Sequence, residues 1–232
     1  MKLTKATDLS TQQATYLMYA NPGVGKTTAL KYLPGKTLVI DIDKSSIVLN
    51  GEEDITIMEV DTHNMYQEWT EIVKDLFKNK EQYAEFDNIV VDNVSELFRA
   101  TLSNLGREGN NDRVPAMSDY QRIDFTIIDS LRALKKLDKR LVITAWETSD
   151  VWESPGGQTF NRAMPDIRSK ILNNFMGLCD VVARLIVTTD KDGNEKRGFI
   201  LQPSNSVYAK NRLDSRKGCK VDELVEEHVS TP

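Results

Sequence analysis

Ala20-Asn-Pro-Gly-Val-Gly-Lys-Thr27 sits between an apolar run, Ala14–Ala20 (ATYLMYA), and a stretch of helical character, Lys26–Leu33. Its spacing is that of the phosphate-binding loop [AG]-x-x-x-x-G-K-[ST], the Walker A pattern. Glycines at 23 and 25 let the backbone turn so that consecutive N–H groups face one point, where an anion would sit at the start of the next helix. Asn21, Pro22, Gly23, Val24, Gly25, Lys26, Thr27 and Thr28 form the expected cradle. Lys26 would reach the β- and γ-oxygens of a nucleoside triphosphate, and the Thr27 hydroxyl would ligate Mg²⁺. The strand before and the helix after are the context this motif requires.

Outward from the loop, short β-branched runs alternate with helix-like segments. The runs are Thr37–Ile42, Ile55–Val60, Asn88–Asp92 and Arg140–Trp146; the helical stretches are Met65–Phe77, Val94–Leu105 and Asp119–Leu137. Such alternation predicts βαβ units around a mostly parallel sheet. Strands that are apolar without alternation imply helices over both faces. Val181–Thr188 and Gly198–Gln202 flank Asp192-Gly193, a hairpin signal, so an antiparallel ribbon is expected to extend the sheet. A short acidic helix, Val221–His228, closes the chain. Gly106–Ser118 and Thr148–Ser169 read as long loops, of the kind that is often functional. The whole, residues 1–232, is expected to be one three-layer α/β domain.

The chain of 232 residues carries 30 Lys and Arg against 35 Asp and Glu, a net charge of −5. It is no polycation, so contact with nucleic acid must come from a local patch. Cys179 and Cys219, 40 residues apart, fit neither a disulfide framework nor a zinc site. No apolar run reaches the ~18 residues of a membrane span, and the N-terminus lacks the apolar core of a signal peptide. An intracellular, cytoplasmic protein is expected.

Other residues complete the chemistry. Asp92 ends an apolar strand about 65 residues after Lys26, where a carboxylate would hold Mg²⁺ through water. Asp43 would act as general base toward the attacking water, or else cap the turn that follows; for Asp41 the capping role is favoured. Thr144 and Glu147 end the strand expected beside Asp92 and are candidate sensors of the γ-phosphate, with Trp146 between them. From Arg184 to Lys220 nine Lys and Arg face four Asp and Glu. Within that stretch Lys210 and Arg212 are candidates for an arginine-finger role at a neighbouring subunit's nucleotide, or for contact with a DNA backbone.

Taken together, the segments ANPGVGKTT, LVIDID, FDNIVVDNVSEL, LVITAWE and AKNR make most of the chain resemble the RecA-like P-loop ATPases. The likeness is greatest to small nucleotide-binding proteins of phages, a group that includes RecA-like single-strand annealing proteins. This resemblance implies ATP as the nucleotide, slow hydrolysis, a homo-oligomer with nucleotide between subunits, and single-stranded DNA as partner in recombination or replication. It implies Asp43 as catalytic carboxylate and Asp92 as the magnesium-associated one. It also implies two DNA-binding loops, which would bring Arg107, Arg113, Arg162 and Arg168 to phosphates, with Trp152 or Phe160 stacking on bases. Asp43 is shorter than the Glu usual in these relatives, and Trp146 stands where they carry a polar sensor. A ParA-like ATPase fits less well, since its signature lysine would fall at Asn21. An AAA+ helicase loader would have Glu at 93, where this chain has Asn93. A second class remains open: a nucleotide-dependent switch that acts on a protein partner, such as a helicase loader or adaptor. So does an ATPase that binds without turnover.

Overall fold

The computed structural model of the chain describes residue 3, residues 5–8 and residues 11–225. Six strands lie parallel: β1 (Thr15–Ala20), β2 (Thr37–Asp41), β3 (Ile55–Glu59), β4 (Asn88–Asp92), β5 (Arg140–Glu153) and β7 (Val181–Thr189). Between β5 and β7 in sequence comes β6 (Thr159–Pro165), which pairs only with β5 and is antiparallel to it. After β7, β8 (Glu195–Ile200), β9 (Lys210–Asn211) and β10 (Gly218–Lys220) add antiparallel pairings. The spatial order is β10-β8-β7-β1-β5-β4-β2-β3, so β3 and β10 form the two margins. The fold class expected from the sequence, α/β with a mostly parallel sheet and an antiparallel C-terminal extension, is the one found.

The helices are α1 (Lys26–Ala29), α2 (Met65–Lys78), α3 (Val94–Glu108), α4 (Met117–Leu134) and α5 (Ser169–Leu178). Residues alternate across each buried strand, so Leu17 and Tyr19 join the core beneath α2 to α5, while Tyr16, Met18 and Ala20 join the other. The layers are unequal. All four long helices cover one face, through residues such as Trp69, Leu97, Ile123 and Phe175. The opposite face is covered by α1, by the turn Ser46–Leu49 and by C-terminal residues including Leu213 and Leu224. The expected helix Lys26–Leu33 is one α-turn continued by a 3-10 turn, Leu30–Tyr32, and it stops before Pro34-Gly35. Proline cannot continue a helix, and Gly35 adopts φ +81.

That glycine has a second constraint. A Cβ at Gly35 would lie 2.2 Å from Asp87 Oδ2, the oxygen that accepts from Lys36 N at 2.9 Å. Gly35→Ala is therefore expected to destabilise the fold by about 2 kcal/mol or more, seen as a lower urea midpoint at unchanged slope.

Three expectations change. Thr148–Ser169 is not a loop. β5 continues to Glu153, turns through Pro155-Gly156-Gly157 and returns as β6, with Trp152 opposite Phe160. The strip is half-exposed on both sides, so it lacks the apolar count that marks a core strand. The Gly106–Ser118 loop shrinks to 109–116 because α3 runs on to Glu108 and α4 starts at Met117. Val221–Glu223 forms a 3-10 turn in place of a helix start, and residues 226–228 of the expected helix lie outside the described residues. The hairpin at Asp192-Gly193 forms as expected, with Gly193 at φ 84 and Asp190 Oδ1 accepting from the amides of Asp192 and Asn194.

Candidate functional site

The parallel strands all end on one edge, and their C-terminal residues meet there, as ligand sites do in open α/β sheets. β1 delivers the glycine loop. β5 separates it from β4 and brings Thr144 between the loop strand and Asp92. Gly23 and Gly25 adopt φ 81 and 108, left-handed values by which the loop turns as expected.

Lys26 is buried. Its Nζ donates to Ala20 O at 3.1 Å and to Asn21 O at 3.4 Å, the two carbonyls at the mouth of its own loop. Burial pulls its ammonium below the ordinary lysine range, while the charges of Asp92, Asp43 and Glu147 work against that. Thr27 Oγ1 donates to Asp92 Oδ2 at 2.9 Å and lies 3.0 Å from Ser45 Oγ. Ser45 Oγ also donates to Asp92 Oδ2, at 3.5 Å. The other oxygen of Asp92 accepts from the Thr144 hydroxyl. Thr27 and Asp92, each expected to hold Mg²⁺, are thus brought into direct contact, and Thr144 joins them.

Asp92 is 1% exposed, and its carboxyl is pushed up to about 6. Burial is the largest cause, the charges of Asp43 and Asp41 add to it, and hydroxyls of Thr144 and Thr27 oppose it. Asp92 beside the Thr27 hydroxyl, with the charges of Asp43 and Asp41 added, is a place where a divalent cation would relieve repulsion. Among the described residues no three His, Cys, Asp or Glu side chains cluster as a metal cage. Mg²⁺ here would be held by Thr27, by Asp92 through water, and by phosphate oxygens, which suits an ion that keeps much of its hydration.

Asp41 and Asp43 part ways. Asp41 accepts from the amides of Ser45 (3.2 Å) and Ser46 (3.3 Å), the capping role expected of it. Asp43 accepts from Ser45 N at 3.1 Å and from Asn93 Nδ2, which brings it beside Asp92. Glu147 Oε1 accepts from Asn21 Nδ2 at 3.2 Å, and both its oxygens pair with Arg184 at 2.8 and 2.9 Å. It therefore braces the glycine loop against β7. Trp146 is covered by Arg99, whose guanidinium carbon lies 4.5 Å from the ring centroid. Sequence reading missed Arg197 of β8, whose Nε donates to Val24 O at 3.0 Å. It missed Arg184 as a partner as well, since both contacts cross more than thirty residues of chain.

The remaining candidates lie elsewhere. Lys210 Nζ donates to the carbonyls of Met176, Gly177 and Cys179, and Arg212 Nη2 to that of Gly177 at 2.6 Å. Both cap the end of α5, as cations do, beside the N-terminal end of β7 and away from this chain's own loop. Arg162 is bidentate to Asp150 (3.3 and 3.1 Å) and lies over the rings of Tyr208 and Trp152. Arg168 is bidentate to Asp124 (2.7 and 3.3 Å). Arg107 bonds Ser103 Oγ and His63 O. Arg113 lies in the 109–116 turn at φ 66. Trp152 and Phe160 face each other across the hairpin, centroids 6.0 Å apart. No helix among the described residues is long and apolar enough to cross a membrane.

A family described as an AAA domain matches residues 12–213. Asn93 after Asp92 therefore does not set the chain outside that family. No curated protein matches the sequence. Among solved structures, a KaiC-like protein from the hyperthermophilic archaeon Pyrococcus horikoshii OT3 aligns at 13% identity over 81% of this chain and 77% of that one, with a TM-score of 0.44. The flagellar accessory protein FlaH from Methanocaldococcus jannaschii aligns at 13% identity over 89% and 83%, with a TM-score of 0.49.

Proposed function

The chain belongs to the AAA-domain family, and from that premise we propose that it is a RecA-like ATPase that binds Mg-ATP and hydrolyses it slowly. One observation carries the reading: Thr27 of the glycine loop and Asp92 of β4 are bonded to each other beside a buried Lys26. Lys26 and the loop amides would take up charge on the transferring phosphoryl group. Asp43 would accept the proton of the attacking water as its oxygen bonds to the γ-phosphorus and the bond to ADP breaks. Mg²⁺, when bound, supplies charge neutralisation at the β- and γ-oxygens. Glu147 would hold the loop's entry through Asn21, a positioning role.

The finer reading is of phage type: a homo-oligomer acting on single-stranded DNA in recombination, annealing or replication. In this reading Lys210 or Arg212, which lie at the end of α5 away from their own loop, would serve a neighbour's nucleotide. The β5–β6 hairpin grows from the strand that carries Thr144, so a strand of DNA against Trp152, Phe160 and Arg162 would be joined mechanically to the site. Arg107, Arg113 and Arg168 are the other phosphate contacts of this reading.

A second reading, a nucleotide-dependent switch for a protein partner, draws on the pairing of Arg162 and Arg168 with aspartates. Residues 147–168 also hold Glu147, Asp150, Glu153 and Asp166 against two arginines, an unwelcoming balance for phosphates. ATP hydrolysis measured with and without single-stranded DNA separates the two. The first reading expects turnover that rises with DNA and falls with added salt. Turnover indifferent to DNA would transfer the assignment to a protein partner.

A further inference from the structure

Asn93 follows the proposed metal carboxylate and is wholly buried. Its amide is used from both sides. Oδ1 accepts from Glu96 N at 2.8 Å and caps α3; Nδ2 donates to Asp43 Oδ2. Asp43 Oδ1 is meanwhile held by Ser45 N at 3.1 Å. The carboxylate is thus gripped by one donor on each oxygen, which leaves a lone pair on each oxygen for a water. Asp41 also takes one donor on each oxygen, from the amides of Ser45 and Ser46, but it is buried, whereas Asp43 is partly exposed. A carboxylate at 93 would stand against Asp43 and Asp92, and a hydroxyl would cap the helix but fall short of Asp43. An amide of this length supplies a helix cap and a donor to Asp43 together.

We propose that Asn93 is a positioning residue for hydrolysis: its amide fixes the Asp43 carboxylate toward the attacking water and locks that orientation to the first turn of α3. The inference rests on the ATPase reading above and deepens it. It assigns position 93 a role through Asp43 rather than contact with nucleotide or metal. α3 ends at Glu108, beside the 109–116 turn, so a ligand that displaced the helix would disturb Asp43 through one hydrogen bond.

Asn93→Ser keeps a good N-cap and removes the donor. It is expected to lower kcat about 10- to 100-fold, with KM for ATP and affinity for a non-hydrolysable ATP analogue within about threefold of wild type. In an Asp43→Ala background the same substitution is expected to change kcat no further, because the two residues act as one unit. Thermal unfolding checks that the variant is folded, and Asn93→Thr, also cap-competent, replaces it should it not be. Additive losses, or a kcat equal to wild type, would overturn the inference while leaving the ATPase reading intact. Absence of turnover in the wild-type protein would overturn that reading, and this inference with it.

Discussion

Lys26→Ala is expected to lower ATP turnover by about a thousandfold or more, with the nucleotide-free melting temperature changed by only a few degrees. The two halves of that result have separate causes. Lys26 is the sole cation among the loop residues, so its loss removes charge stabilisation where the γ-phosphate would develop it. In the nucleotide-free fold its ammonium donates to Ala20 O and Asn21 O. Burial holds it below the ordinary lysine range, so the charged form is a burden at neutral pH. Truncation costs packing of the stem and two hydrogen bonds but relieves that desolvation. Steady-state ATPase assays beside thermal unfolding decide the matter. Turnover surviving in a folded variant would refute the assignment of this loop as the reacting site.

Asp92→Asn is the second large effect, and its two parts run in opposite directions. Hydrolysis is expected to fall about a hundredfold or more, since the amide cannot replace a carboxylate on Mg²⁺. Stability without nucleotide is expected to rise. The folded carboxyl sits at about 6 against an ordinary 3.8, chiefly through burial. The folded state therefore binds the proton more tightly than the unfolded chain does. Stability carried by this group is fully present below about pH 4, drains away as pH rises to about 6, and stays lost above that. At pH 7.5 the ionised carboxylate costs up to about 3 kcal/mol, and asparagine removes that cost while still accepting from Thr27 or Thr144. A melting temperature higher by about 5 °C at pH 7.5, shrinking toward zero near pH 4, is the expected outcome. A lower melting temperature at pH 7.5 would mean that the three hydroxyls on Asp92 outweigh its burial.

What was legible in the sequence is what local chemistry dictates. Gly23 and Gly25 read as the turning points of the loop, NIVVD as an apolar strand ending in Asp92, and Asp192-Gly193 as a hairpin turn; each is so. Asp41 as a cap could be read from the two serines after it. Illegible parts are those that depend on distant neighbours. The β5–β6 hairpin was hidden because half-exposed strands carry mixed residues, and Pro155-Gly156-Gly157 reads as readily as open loop. Helix α5 went unremarked although Ile171, Leu172 and Phe175 mark its buried face. Lys210 looked like a free cation, yet its donors end on carbonyls more than thirty residues earlier. Arg197 reaches the glycine loop, and Arg184 the Glu147 that braces it, only because β7 pairs with β1 and β8 with β7.

The two margins of the sheet bear on how the protein behaves when concentrated. An open edge exposes a row of backbone donors and acceptors on which another copy could template. Here β3 follows Glu52, Glu53 and Asp54 and ends in Glu59, whereas β10 is three residues long, preceded by Lys217 and ending in Lys220. Copies meeting acidic margin to acidic margin, or basic to basic, repel. The unlike pairing finds a three-residue template too short to propagate. Growth of a ribbon through these two margins is thus opposed by charge and by length.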